Sequence, residues 1–452
     1  MLRMRKFLKD KKVLKTCHVY CMLKKYARKK HASFHTPGHK VGKWDITELV
    51  YSDNLSAPHG CIAWAEKDVA QILGASKSFI LTDGSTSGIL SMLYAAKRAG
   101  AKTVATGDNA HKSVWNACRV LGLTPFVFSI EKKNGVPLPV TAQTLQCIAK
   151  PAFEKADVLL LTSPDYYGNV AELAEISALC QKEGKLFLID GAHGGHLHFD
   201  RSLYAGEYAD MWVDGVHKSL PAFTQGAVVS ARTEALSEHL YEGVQIFRTT
   251  SPSYPIMASV EYAVKYPRNE VLERAVKATV DALMPAAFVG DDWTKLCVRF
   301  GENAFEAQKR LQKKGVYAEF CDGDVLMFYL SPATTLRQLS SLKKTLFKLL
   351  QKYPFTVAFP SRSSKQKADE KQLDCIPAWV KWEKTEEKIW VDMQKAEGKI
   401  CAGDCGLFPP CTPLIRQGER VSKEALELLK KSDNVYGVWE EKILVYATEQ
   451  KL

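Results

Sequence analysis

The sequence predicts an α/β fold: a mostly parallel sheet with helices on both faces. Two observations predict it. Between residues 75 and 230, short apolar runs end abruptly in polar or glycine residues, five times over. The runs are "SFILTDGSTSG" (78–88), "KTVATGDNAHKS" (102–113), "DVLLLTSPDYYGN" (157–169), "KLFLIDGAHGG" (185–195) and "DMWVDGVHKS" (210–219). Between them lie stretches such as "GILSMLYAAKRAG" (88–100) and "AELAEISALCQKEG" (171–184), with apolar residues at the i, i+3, i+4 spacing of a helix. Strands alternating with helices give a parallel sheet covered on both sides. Ligands of such sheets sit beyond the carboxyl ends of the strands, so the five polar clusters converge on one place.

The length, 452 residues, allows a large core and more than one domain. Hydrophobic residues at 46% and charged residues at 25% are ordinary globular usage. No apolar run approaches the roughly 18 residues of a membrane span. The net charge of +12 suggests an anionic partner until it is located. Residues 1–30 hold twelve Lys or Arg and one acid, Asp10, so +11 of the +12 lies there. We expect a solvated basic helical segment over 1–30, with residues 1–15 dispensable for chemistry, and no nucleic-acid or membrane partner. A transit peptide is Arg- and Ser-rich, whereas this segment favours Lys and has no serine. Arg3, Arg5, Lys6 and Lys9 interrupt any secretory apolar segment, so the twelve cysteines read as reduced thiols of a cytoplasmic protein. Cys17/Cys21 and Cys401/Cys405 have C-x3-C spacing without a matching second pair, and no metal is expected.

The large domain reads as 31–290. After it come a helix, "NAFEAQKRLQKKG" (303–315), and a strand pair, "YAEFCDGDVLMFYLS" (317–331), turning at Asp322–Asp324. An amphipathic helix follows over 335–353, closing a small α+β domain over 291–360. A polar linker, 361–372, leads to a final segment, 373–452, with helices, the Pro-rich "FPPCTP" (408–413) and a strand over 441–447.

The clusters supply chemical parts. "DGSTSG" (83–88) opens a helix with small hydroxyl residues, and free N–H groups at a helix start bind phosphate. Plain N-capping by Ser85 is the competing reading. Walker-A spacing is missing, so no nucleoside triphosphate is indicated. Asp190 ends a buried apolar run, where a carboxylate needs a cation or strong donor. His111 heads a helix after its own strand and can stack on a planar ligand. His193, His196 and His198 lack a nearby acid or cysteine of zinc-site pattern. Lys218 sits at a strand end beside His217 and Ser219. A phosphate cradle, a buried carboxylate, a stacking imidazole and a strand-end lysine together describe pyridoxal phosphate.

At this point the chain resembles a known family. "FHTPGHKVG" (34–42), "DGSTSG" (83–88), "HKSVWNAC" (111–118), "DGAHGGHLHF" (190–199), "VHKSLPAFTQGAV" (216–228), "TTSPSYPIMAS" (249–259) and "FPPCTPLIRQGE" (408–419) are similar to motifs of the bacterial ornithine/lysine/arginine decarboxylases. The resemblance runs from about residue 20 to the C-terminus and is nearest to the short arginine decarboxylases of Gram-positive bacteria. It implies a fold-type-I pyridoxal-phosphate-dependent large domain, smaller α+β C-terminal domains, and a homodimer or higher homo-oligomer with shared sites. By motif, Lys218 would be the Schiff-base lysine, Asp190 the partner of the pyridinium nitrogen and His111 the stacking ring. Ser85, Thr86 and His217 would hold the phosphate, His193 would join the cofactor site, and Ser251 would reach the cofactor of the partner subunit. Departures are Gly215 where many members carry serine, His59 and Cys61 in "APHGCI" (57–62), and Cys411 in place of a glycine.

The implied reaction is α-decarboxylation of arginine, lysine or ornithine, giving a polyamine or its precursor, with a proton returned to Cα by Lys218 or His217. The cationic substrate tail needs acids, for which Glu319, Asp322, Asp324 and Glu419 are candidates. Two alternatives stay open at this stage. An aminotransferase or β-lyase would share the cofactor parts and use an arginine such as Arg248 for the substrate carboxylate. A non-catalytic binding protein would leave Lys218 and Asp190 unexplained.

Overall fold

A computed structural model describes residues 8, 10–29, 32–40, 44–354, 387–407, 411–432 and 434–447. The linker expected over 361–372 lies outside the described residues, as do residues 1–7 of the basic segment and 408–410 of the Pro-rich stretch.

A seven-stranded sheet organises the first part of the chain. Its strands are β1 (Lys77–Leu81), β2 (Thr103–Gly107), β3 (Thr124–Phe128), β4 (Val158–Thr162), β5 (Leu186–Gly191), β6 (Met211–Asp214) and β7 (Ala227–Ala231). The spatial order is β1-β7-β6-β5-β4-β2-β3. Only β7 runs against its neighbours, pairing antiparallel with both β1 and β6. β1 to β6 therefore point the same way, and their carboxyl ends share one edge. Within β4, Leu159 and Leu161 face one core while Val158 and Leu160 face the other, the period of two that a sheet covered on both sides requires.

The basic N-terminal segment corrects an expectation. It forms α1 (Lys11–Thr16) and α2 (His18–Ala27), but the helices are not solvated appendages. Leu14, Cys17, Val19, Tyr20, Leu23 and Tyr26 are buried in the main core. Asp10 caps α1 through its carboxylate, and its own N–H donates to the Tyr262 hydroxyl. The Glu261 carboxylate accepts the N–H groups of His18 and Val19, so α2 begins on a buried acid. The lysines stand on the outer face, and the charge count concealed the apolar spacing beneath it. Residues 8–15 are part of the fold, not dispensable.

A second, antiparallel sheet contains β8 (Ala287–Phe288), β9 (Lys295–Arg299), β10 (Phe320–Cys321) and β11 (Val325–Tyr329), with the turn at 322–324 where it was expected. The helix Glu270–Leu283, which the sequence reading puts with the large domain, contributes Leu272, Val276 and Leu283 to this second core. The packing unit thus begins ahead of residue 290. The last segment builds a further core around Cys405, Ile415, Leu426 and Val445. Among the described residues no helix is long and apolar enough to cross a membrane.

Candidate active site

The shared edge of the sheet opens into a cavity of about 810 Å³. Ser85, His111, Asp190, His193 and Lys218 all line it. Each follows the carboxyl end of a parallel strand: β1, β2, β5 (twice) and β6. Register fixes the depth, since Thr162 pairs with Asp190 and Asp190 with Val213. Asp190 and Lys218 thereby meet on neighbouring strand ends.

Asp190 is buried, and its Oδ1 accepts the Ala192 N–H at 3.1 Å. Burial pushes its carboxyl up from the ordinary range, and the charge of Lys218 opposes that push. Lys218 sits in the first turn after β6, half-buried, with Nζ 3.3 Å from His193 Nε2. Burial holds its ammonium below the usual lysine range, with Asp190 acting the other way. His111 caps the next helix, its Nδ1 accepting from the Ser113 N–H at 3.2 Å. Burial, with Lys218 and Lys112 nearby, lowers it to about 3, so the ring is neutral and uncharged in its stacking position.

The helix Ser85–Arg98 starts at the cavity with Gly84 as N-cap and no side-chain cap. Ser85 is therefore not the N-cap, and the first-turn N–H groups keep their donors for something else. Gly84 has φ 88°, a conformation that glycine adopts without penalty. Gly215 answers a different need. A Cβ there would collide with the Ala192 carbonyl oxygen, so a serine has no room at this position.

Other expected residues fall elsewhere. Thr86 is exposed and is not part of the cavity wall. His217 is half-buried outside the wall, donating from Nδ1 to the Gly226 carbonyl at 3.0 Å. Burial lowers its pKa, leaving Nε2 a bare acceptor ill-suited to a phosphate oxygen. Ser251 is exposed on the surface of this subunit. Asp322 and Asp324 line the cavity. Asp322 accepts the Tyr167 hydroxyl and two backbone N–H groups, and Asp324 pairs with Arg299. Glu319 and Glu419 do not line it. Glu319 accepts the Tyr166 hydroxyl at 3.0 Å, and Glu419 is held by the backbone and guanidinium of Arg416. The three histidines also part company. His196 Nε2 meets Asp292 Oδ1 at 2.8 Å, and His198 Nδ1 donates to the Gly195 carbonyl at 2.7 Å. They share no metal-binding arrangement.

Arg248 is buried away from the cavity, donating to the Ile80 and Leu55 carbonyls and facing Glu66 at 3.5 Å. Arg416, the arginine on the cavity wall, is engaged with Glu419 and the Asp108 carbonyl. His59 and Cys61 belong to a loop organised by Asp53, whose carboxylate takes the N–H groups of Asn54, His59, Gly60 and Ile62. Cys411 has φ 61°, the left-handed region where a glycine would be unstrained.

Sequence reasoning missed Tyr166, Lys295 and Tyr329. Tyr329 reaches His193 Nδ1 at 2.9 Å, from β11. Lys295, fully buried at the head of β9, pairs with Asp292 at 2.9 Å and lies 4.4 Å from the centre of the Tyr329 ring. A lysine heading the apolar run "KLCV" was the available signal for a buried cation.

The residues present fit pyridoxal phosphate. A buried carboxylate with one short hydrogen bond suits a protonated ring nitrogen. An uncapped helix start suits a phosphate, and a lysine held toward its neutral form suits an aldehyde. A family model for "Orn/Lys/Arg decarboxylase, major domain" matches residues 43–287, more than half of the chain. An uncharacterized Bacillus subtilis protein, YaaO, is 28% identical, covering 96% of this chain and 99% of its own. An arginine decarboxylase of Halalkalibacterium halodurans is 25% identical over 90% of this chain and 91% of its own. The solved constitutive lysine decarboxylase of Escherichia coli shares the fold, with a TM-score of 0.70 at 17% identity, covering 95% of this chain and 82% of that one. The chain belongs to the Orn/Lys/Arg decarboxylase family, pyridoxal-phosphate-dependent decarboxylases of basic amino acids.

Proposed function

We propose that the protein decarboxylates arginine to its amine, a polyamine precursor, with Lys218, Asp190, His111 and Ser85 as the working residues. The carrying observation is that all four line one cavity whose opposite wall bears carboxylates. Lys218 Nζ anchors the cofactor aldehyde, Asp190 holds the proton on the ring nitrogen, and His111 packs flat on the ring. Ser85 and the first-turn N–H groups of its helix take the phosphate. When bound, pyridoxal phosphate supplies an electron sink for the pair left at Cα as carbon dioxide departs. Lys218 then returns a proton to Cα from Nζ.

Arginine is favoured over lysine and ornithine for two reasons. The relative named arginine decarboxylase matches nearly the whole chain. Glu302 and Asp322 offer two carboxylates on the cavity wall, and a planar guanidinium has donors for both. The tight engagement of Arg248 and Arg416 argues against an aminotransferase, which needs a free arginine for the substrate carboxylate. A homodimer with Ser251 facing the partner's site, in the cytoplasm, completes the proposal. The test is incubation of the holoenzyme with arginine, lysine and ornithine in turn, with assay of amine, carbon dioxide and keto acid. Agmatine and carbon dioxide from arginine is the expected result. Keto acid formation, or preference for another amino acid, refutes it.

A further inference from the structure

The reaction consumes a proton. The amine product carries at Cα a hydrogen that the substrate carboxylate did not bring, so each turnover draws one proton from solvent. A substrate filling the cavity displaces the water beside Lys218. Nζ must then be recharged by another path.

We propose that Glu319, Tyr166, Tyr329 and His193 form a proton relay from the surface to Lys218. This rests on the reading of Lys218 as the proton donor. Lys218 Nζ lies 3.3 Å from His193 Nε2, and His193 Nδ1 lies 2.9 Å from the Tyr329 hydroxyl. The Tyr329 and Tyr166 rings are 5.6 Å apart between centroids, and their side chains interact through the hydroxyls. The Tyr166 hydroxyl donates to Glu319 Oε1 at 3.0 Å. Glu319 is exposed, whereas His193 is only 6% exposed and has a partner at each ring nitrogen.

An imidazole held this way passes a proton by exchanging tautomers. With Nζ charged, Nε2 accepts from it and Nδ1–H donates to Tyr329. Once Nζ has given its proton to Cα, Nε2–H recharges Nζ. Nδ1 takes the Tyr329 proton, Tyr329 takes that of Tyr166, and Tyr166 is refilled through Glu319 from solvent. Each group gains one proton and loses one, and no oxidant or reductant is involved. Lys295 steadies the inner half, donating to the His193 carbonyl at 3.3 Å while its ammonium lies over the Tyr329 ring. The other charged or titratable neighbours are Asp190 and Cys411 near Lys218, Cys411 near Tyr166, and His111 and Asp292 near His193. None of these is exposed, which leaves Glu319 as the relay's contact with water.

The test compares holoenzyme with Tyr329→Phe, Tyr166→Phe and Glu319→Gln. The first readout needs no substrate: a rapid pH jump followed by the absorbance of the bound cofactor. The relay predicts relaxation slowed about 10-fold or more in each variant, within the scale of positioned proton transfer. The second readout is turnover. The expected result is a kcat lower by a similar factor, KM unchanged, a larger solvent deuterium isotope effect, and partial rescue of the Tyr→Phe variants by imidazolium buffer. Wild-type relaxation in both Tyr→Phe variants overturns the relay. So does a change in KM alone, which marks these residues as wall rather than path. If wild-type protein relaxes normally yet makes no amine from any of the three amino acids, the substrate reading fails, while the pH-jump comparison still judges the relay.

Discussion

The two walls of the cavity are built differently. The sheet wall carries Ser85, His111, Asp190 and Lys218, each a few residues past the end of a parallel strand. The opposite wall carries Asp322, Asp324, Phe305 and Phe320 from the second layer, with Thr412 and Arg416 from the last segment. On the first wall, chain direction alone brings the groups together. On the second, they meet only because separate cores pack against the sheet. The first wall holds the groups that handle the cofactor, and the second holds those that set charge and access.

The sharpest way to break this division is at Lys218. Lys218→Ala should lower turnover by at least about 10³-fold, toward the upper range for losing a proton-transfer group. The fold should survive, because Nζ faces the cavity. Loss of the cofactor–lysine absorbance with an unchanged melting temperature checks both halves. Asp190→Asn keeps the shape and removes the charge. It should slow turnover about 10²-fold and weaken cofactor retention on dialysis, and an unchanged rate would remove the pyridinium role.

The second wall is tested at Lys295. Lys295→Met leaves Asp292 buried without its ammonium, which should cost about 3 kcal/mol in denaturant titration. Adding Asp292→Asn to it should recover part of the loss. The N-terminal helices offer a smaller effect away from both walls. Leu23→Ala should cost about 2 to 3 kcal/mol, as for a buried leucine, whereas Lys25→Ala on the exposed face should be nearly neutral.

The smallest effect is a pH slope. Burial raises Asp214 to about 7, with only the Tyr204 and Trp212 side chains opposing the rise. The folded state therefore binds its proton more tightly than the unfolded chain does. Stability from this group is present below the unfolded carboxyl value and fades as pH climbs to about 7. Asp292 has the opposite sign: its folded carboxyl is depressed by His196 and Lys295, and its contribution is lost only in acid. Asp214→Asn should flatten the decline between pH 5 and pH 8, measured as the urea midpoint at each pH, and leave the acid limb in place.

Much of the sheet wall was legible in the sequence, for a physical reason. A parallel strand buried on both faces reads as an apolar run, and its loop reads as a polar interruption, so Asp190 and Lys218 announce their position. Tyr329 gives no such sign. It ends the run "VLMFY" as any core aromatic might, and only the approach of β11 to His193 gives it a partner. Glu319 and Glu419 were chosen for charge, but sequence does not say where a carboxylate turns, and Tyr166 and Arg416 turn them away. In the N-terminal segment the dense lysines hid Leu14, Val19 and Leu23, whose spacing marks a helix face against the core.

The buried contacts of Asp292 also bear on how the molecule comes apart. Its carboxylate joins Lys295 of the second layer to His196 of the first, and its N–H donates to the Gly168 carbonyl. Lifting one layer from the other would strand an ion pair half-solvated and open a seam sealed by backbone hydrogen bonds. Local opening along that seam is therefore nearly as costly as global unfolding. Amide hydrogens of β5 and β9 should exchange together, at one rate set by the whole molecule, and a calorimetric scan should find these two layers melting as a single cooperative unit.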